Sequence, residues 1–69
     1  MSFNYSKLLG RIKEKVGTQS TFAELMGLSE KTLSMKLNNK NSWKQPEILK
    51  ACELLDISSE EVFVYFFSG

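Results

Sequence analysis

The most informative absence from this sequence is histidine. None of its 69 residues is a histidine, which removes the commonest general base and the commonest metal ligand of proteins. No nucleophile–base pair, metal-ligand cluster or phosphate-binding loop stands out among the other residues. We therefore expect that the chain is not an enzyme and needs no cofactor.

Cysteine and long apolar runs are scarce as well. Cys52 is the single cysteine, so no disulfide forms within the chain, and its apolar helical surroundings predict a buried structural thiol. The opening M-S-F-N-Y-S-K lacks the apolar stretch of a signal peptide, and no run approaches the length of a membrane span. We expect a cytoplasmic protein.

The overall composition is that of one small globular domain. Hydrophobic residues make up 42% of the chain and charged residues 25%, without repeats or low-complexity tracts. A single domain over residues 1–69 has only a small core, so pairing with another chain would add useful burial.

Residues 18–38, T-Q-S-T-F-A-E-L-M-G-L-S-E-K-T-L-S-M-K-L-N, predict two short helices joined by a three-residue turn. Thr18 is suited to cap a first helix over about 19–26. Gly27 follows it, where a left-handed backbone is easiest for glycine, and Ser29 is suited to cap the second helix. The inward positions of the first helix are predicted to be Phe22, Leu25 and Met26.

The spacing within this segment indicates a helix-turn-helix. Ala23 lies four residues before Gly27, where a small side chain lets two helices approach closely, and Leu33 lies four residues beyond the Ser29 cap. Each feature alone is an ordinary cap or core position. Together they specify one tight helix pair and make DNA the first partner to consider.

The rest of the chain is predicted to be helical, which gives an all-α, five-helix fold. One helix spans about 5–16, another begins near Pro46 with Trp43 packed onto Ile48, and a capping box of Ser58 and Glu61 starts a last helix over 59–67. The inward residues of these three helices are predicted to be Tyr5, Leu8, Leu9, Ile12 and Val16; Ile48, Cys52 and Leu55; and Val62, Phe63 and Phe66.

Charge is divided unevenly along the chain although the net charge is only +1. Residues 1–44 hold eight basic and three acidic side chains, a balance of +5, whereas residues 45–69 hold one basic and five acidic side chains, a balance of −4. The basic half coincides with the helix pair, as a phosphate-facing surface requires, and the acidic half would face away from DNA or toward another partner. The alternative is an accidental division of a solvated surface.

With these features the sequence resembles the lambda repressor/Cro-type five-helix DNA-binding domain, in the small early-regulator form of temperate phages. The beginning F-N-Y-S-K-L-L-G-R-I and the later L-N-N-K and K-A-C-E-L-L-D-I are similar to Cro-like regulators of Gram-positive phages, including the modulator-of-repression type of lactococcal phages. The resemblance implies a role in the lytic/lysogenic switch of a bacterial host, on operator DNA. It also implies, for modulator-type members, association with the phage's own repressor.

The resemblance also implies which residues contact DNA. Gln19 would bind a phosphate, with Ser20 assisting, and Lys40 and Lys44 would bind the backbone near Asn38, the phosphate-binding asparagine after the second helix. The recognition helix, 30–37, would present its outer residues to base edges, anchored by its leucines. These outer residues are Lys31, Ser34 and Met35. Glu30 begins the helix and is counted with the DNA-binding residues, and Thr32 or Lys36 would flank the groove.

The chain departs from that family at two positions. Lys36 occupies a usually apolar position, so the outer rotation of the recognition helix can differ, with Lys36 flanking the groove and Met35 partly buried. The usual glycine after Asn38 is Asn39 here, and asparagine tolerates the same left-handed backbone.

The ending E-E-V-F-V-Y-F-F carries more apolar surface than one helix face can bury. Val64, Tyr65 and Phe67 are therefore predicted to form a partner or dimer contact. In the family that the chain resembles, the last helix often forms the dimer, with two recognition helices one DNA turn apart. In the alternative, Phe67 folds over the end of the first helix.

Two functions from different classes remain open. The first is a homodimeric, sequence-specific transcription regulator, and the second is a modulator or anti-repressor that binds the phage repressor. The basic helix pair favours the first. The weak net charge and the acidic aromatic end favour the second.

Overall fold

The structure, a computed structural model, describes residues 2–68, and that part of the chain is all-helical, without strands. The predicted all-α class is therefore confirmed. No helix within it is long and apolar enough to cross a membrane. The helices are α1 (Ser6–Lys15), α2 (Gln19–Met26), α3 (Glu30–Leu37), α4 (Gln45–Leu55) and α5 (Val62–Phe66), with a 3-10 turn, Ser59–Glu61, directly before α5.

The pair α2 and α3 begins and ends where the sequence predicts. The Thr18 side chain accepts a hydrogen bond from the backbone N–H of Thr21, and Ser29 caps α3 by accepting from the backbone N–H of Thr32. Gly27 has a φ of 75°, a left-handed conformation that costs glycine little. These caps satisfy N–H groups that each helix would otherwise leave unpaired.

One core lies among the five helices. Ala23 on α2 is fully buried in this core, and Cys52 is only half-buried at its edge. The most deeply buried large side chains come from every helix: Leu8, Ile12, Phe22, Leu33, Leu55 and Phe66.

Side chains satisfy backbone groups at both ends of α4, and one of them joins α4 to α1. At its start the backbone N–H of Lys44 donates to the carboxylate of Glu47 at 2.8 Å. At its end the Arg11 guanidinium donates to the backbone carbonyls of Leu55 and Asp56, both at 2.8 Å. A cation is favourable at a helix C-terminus, where carbonyl groups lack partners. Arg11 therefore holds α1 against the end of α4.

Two leucines predicted to face inward do not. Leu25 is 45% exposed, because the buried face of α2 is centred on Phe22, Met26 and Ala23 and leaves Leu25 on its rim. Leu9 lies on the rim of α1 for the same reason, since Leu8 and Ile12 fix the centre of that face.

The last helix also differs from the prediction. Residues 59–61 form a 3-10 turn and only residues 62–66 are α-helical, although the predicted capping box is present, with the Ser58 backbone N–H donating to Glu61 at 3.2 Å. Phe63, predicted to face inward, is 69% exposed. Tyr65, predicted to face a partner, is half-buried and packs against the core beside Phe66. The buried face of α5 is thus rotated toward Tyr65.

Candidate functional site

The structure brings the predicted DNA-contacting residues onto the α2–α3 pair and the loop after it. Gln19 and Ser20 occupy the first turn of α2, and Glu30 and Lys31 occupy the first turn of α3. All four side chains are exposed. A lysine at this point of a helix can donate to guanine, whereas a glutamate can only accept, from cytosine N4 for instance.

Further along α3 the side chains predicted to contact DNA are less exposed. Thr32 is half-buried and its hydroxyl accepts a hydrogen bond from Ser29 at 2.9 Å. Ser34 and Met35 are also half-buried, as the alternative rotation of α3 predicts for Met35. The exposed first turn is therefore the part of α3 best placed to meet DNA.

Asn38 is exposed after α3, but its amide already has a partner. Its Nδ2 donates to the backbone carbonyl of Ser34 at 2.8 Å and lies 3.2 Å from the Ser34 hydroxyl. A phosphate contact needs that nitrogen as a donor. In this arrangement the Asn38 side chain pairs with the last turn of α3. The exposed Lys40 in the same loop is the remaining predicted phosphate donor.

The prediction that Lys36 flanks the DNA groove is wrong. It is buried, and its Nζ lies 2.9 Å from the Glu47 carboxylate and 3.0 Å from the carbonyl of Ser42, to which it donates. Position 36, which is usually apolar in the Cro-type family that the sequence resembles, thus lies inside this protein. A carboxylate from α4 makes the buried ammonium tolerable.

Two of the eight basic residues in the first half are therefore used internally, Arg11 and Lys36. Six exposed lysines remain that form no ion pair within residues 2–68. Only these contribute to a surface that attracts phosphate. They are Lys7, Lys13, Lys15, Lys31, Lys40 and Lys44.

Four exposed apolar side chains lie on α4, on α5 and directly after α5. We call these residues, Leu49, Phe63, Val64 and Phe67, the α4–α5 surface. Leu49 is 63% exposed and Phe67 is 40% exposed. The rings of Phe63 and Phe67 lie 6.3 Å apart. Val64 and Phe67 were predicted to face a partner. Phe63 was predicted to face inward because its helical spacing is also that of a core face, and Leu49 was not singled out.

Phe67 also packs on the segment before α1. Its ring meets that of Phe3 edge to face, with centroids 5.7 Å apart. Phe67 thus packs on the segment before α1 and is still 40% exposed, so that both a fold-back contact and a partner contact use this side chain.

Carboxylates lie close to the α4–α5 surface. Glu53, Asp56 and Glu60 are exposed and form no ion pair within residues 2–68. Hydrogen bonds from the backbone and hydroxyl of Ser58 hold the pKa of Glu61 below its ordinary value. All four carboxylates are thus available as negative charges around an apolar area, as the charge division of the sequence predicts.

The structure shows one site residue that sequence reasoning did not single out for contact. Asn39 has a φ of 62°, and its amide is paired with the backbone of Phe3, accepting from N–H at 2.9 Å and donating to C=O at 2.8 Å. This pairing links the loop after α3 to the N-terminal segment. No sequence pattern reports it, because the two residues are far apart in the chain.

The part of the chain that the structure describes has no group of three or more Cys, Asp or Glu side chains placed to hold a metal ion. The half-buried thiol of Cys52 has its pKa raised by burial, which disfavours the reactive thiolate.

Comparisons with known proteins found a matching family and a similar solved structure. Residues 1–69 match the model of the family described as "Protein of unknown function (DUF739)". The solution structure of the modulator of repression (MOR) of the temperate bacteriophage TP901-1 from Lactococcus lactis is similar, with 55% sequence identity and a TM-score of 0.85. The match covers 97% of this chain and 90% of that one. No curated protein matches this chain.

Proposed function

The chain belongs to the DUF739 family. We propose that it is a modulator of repression in the lytic/lysogenic switch of a temperate phage. The similarity that supports this proposal is to a modulator of repression at 55% identity over nearly the whole chain. The protein acts in the bacterial cytoplasm, where a phage repressor and its operators are found. Its action involves no catalysis and no cofactor.

The modulator acts by binding the phage repressor through the α4–α5 surface. The single observation that carries this step is the exposure of two large side chains, Phe63 on the five-residue helix α5 and Phe67 directly after it. Burial of such area drives association at about 25 cal/mol per Å² before the entropic cost of binding. A polar substitution at these positions therefore removes affinity without removing the core.

DNA binding by α2 and α3 is the second candidate, and the two functions are compatible. The exposed Gln19 and Lys31 on a capped helix pair with a three-residue turn favour it. The net charge of +1 and the internal use of Arg11 and Lys36 argue for weak DNA affinity in the absence of a partner. In this scheme the protein contributes DNA contacts within a complex with the repressor.

The test is a gel-shift and co-purification experiment with the repressor and the early-promoter DNA of the same phage. We expect the protein to co-purify with the repressor and to change the migration of the repressor–operator complex. Val64→Ser and Phe67→Ser should reduce co-purification, and Leu25→Ser, at an exposed leucine of α2, is the matched control. Binding to operator DNA with no effect of the repressor would replace the modulator by an autonomous DNA-binding regulator.

A further inference from the structure

An apolar groove runs along α4 toward the N-terminal segment. Three adjoining hollows of about 430, 440 and 210 Å³ form it. Leu49 and Val62 line both of the first two hollows. Trp43, Ile48 and Phe67 line both of the last two. The shared lining residues place the three hollows next to one another along one face of the molecule.

The two ends of this groove carry opposite charge. Glu53 and Asp56 line the first hollow, and Lys40 lines the last. All three side chains are exposed and have no ion-pair partner within residues 2–68. The groove therefore has an electrostatic direction as well as an apolar floor.

We propose that this groove binds one amphipathic helix of a partner protein in a fixed direction. The end of that helix near Glu53 and Asp56 carries lysine or arginine, and the end near Lys40 carries aspartate or glutamate. α4 has 11 residues, a length of about 16 Å, so the groove accommodates about three helical turns. Apolar side chains at positions i, i+3 or i+4 and i+7 would enter the three hollows.

The charges and the shape favour a different protein over a second copy of this chain. A groove needs a ridge to fill it, and the adjacent pair of exposed apolar residues outside the groove is Phe63 and Val64 on α5, whereas α1 and α2 each expose a single leucine. Glu60 and Glu61 directly precede that ridge. A second copy would thus bring carboxylates toward Glu53 and Asp56, and like charges at an interface suppress pairing.

The inference rests on the proposed function for the identity of the partner, the phage repressor, but its chemistry can be tested separately. The probe is a stapled helical peptide of about three turns, with a leucine stripe, lysines at one end and glutamates at the other. A spin label is attached to either end, and its broadening of backbone amide signals is measured by NMR. The lysine-end label should broaden Glu53 and Asp56, and the glutamate-end label should broaden Lys40.

Two variants with matched controls measure the contributions of the groove. Leu49→Ala should weaken peptide binding about tenfold, because this leucine lines two hollows. Glu53→Lys should weaken it about fivefold, the usual strength of a partly exposed ion pair. Leu25→Ala and Glu24→Lys make the same changes at exposed positions of α2 and should have no effect.

Three results would each overturn the groove proposal. They are broadening by both labels at the same end of the groove, signal changes confined to α2 and α3, and no binding of the peptide. Equal affinity for the two groove variants and their controls would overturn it as well. If the peptide binds as described but the wild-type protein fails to bind the repressor, the proposed function is wrong and the groove stands. If the repressor binds and the peptide does not, the groove is wrong and the proposed function stands.

Discussion

The ammonium of Lys36 on α3 lies 2.9 Å from the carboxylate of Glu47 on α4, with only 5% of the lysine side chain exposed. The same carboxylate accepts from the backbone N–H of Lys44, and the ammonium donates to the carbonyl of Ser42. One buried ion pair thus joins the end of α3, the following loop and the start of α4.

Lys36→Ala should lower the free energy of unfolding by about 3 kcal/mol, because it leaves the partly buried Glu47 carboxylate without its counter-ion. A domain of this length has roughly 3–10 kcal/mol of stability in total, so the change is large. Urea unfolding followed by circular dichroism measures it. The double variant Lys36→Met with Glu47→Gln should recover most of the loss, since no charge is then buried. A single variant as stable as wild type would show that the pair contributes nothing.

Acid should destabilise the protein partly through Glu47. Burial alone would raise the pKa of Glu47, but the hydrogen bond from Lys44 and the hydrogen bond and charge of Lys36 together lower that pKa below its ordinary value. A carboxyl group with a lowered pKa in the folded state stabilises the fold above its unfolded pKa, about 4.3, and loses this contribution as the pH falls through its folded pKa.

The measurement is the free energy of unfolding as a function of pH below about 4.3. Glu47→Gln should show a shallower decrease than wild type over that range. Glu53→Gln, at an exposed carboxylate with no ion pair in residues 2–68, is the control and should retain the wild-type slope. Identical slopes for all three proteins would contradict the assignment.

Ala23→Val should destabilise the α2–α3 pair by about 1–3 kcal/mol, because Ala23 is fully buried between packed helices and extra methyl groups overpack the contact. The melting temperature measures the effect. Ser20→Val places the same side chain at an exposed position of α2 and should cost only a few tenths of a kcal/mol in helix propensity. A melting temperature unchanged by Ala23→Val would mean that the two helices do not need their close approach.

Lys31→Ala should weaken specific binding to operator DNA by about 1–3 kcal/mol while leaving the fold intact, because Lys31 is exposed on the first turn of α3. Fluorescence anisotropy with the operator, in the presence of the repressor, measures it. Lys50→Ala, at an exposed lysine of α4, should leave the affinity unchanged. Equal affinities for the Lys31 variant and wild type would remove α3 from the DNA contact.

The helices and caps were predictable because their signals are local. Thr18, Gly27 and Ser29 mark the ends of α2 and α3 by chemistry that acts within one turn. The exposure of Phe63 was not predictable, because helical spacing gives a face but not its rotation toward the core. The burial of Lys36 depends on Glu47, which is remote in sequence, and an isolated pattern does not report such a partner.

Isothermal titration of the phage repressor with wild-type protein and two variants tests whether the repressor binds the α4–α5 surface. The variants are Phe63→Ser with Phe67→Ser, which changes the α4–α5 surface, and Lys31→Ala, which changes α3. We predict that the first loses at least tenfold in affinity for the repressor while Lys31→Ala binds like wild type, with all three equally helical by circular dichroism. Wild-type affinity of the double serine variant, or loss of repressor binding only in Lys31→Ala, would contradict repressor binding through the α4–α5 surface.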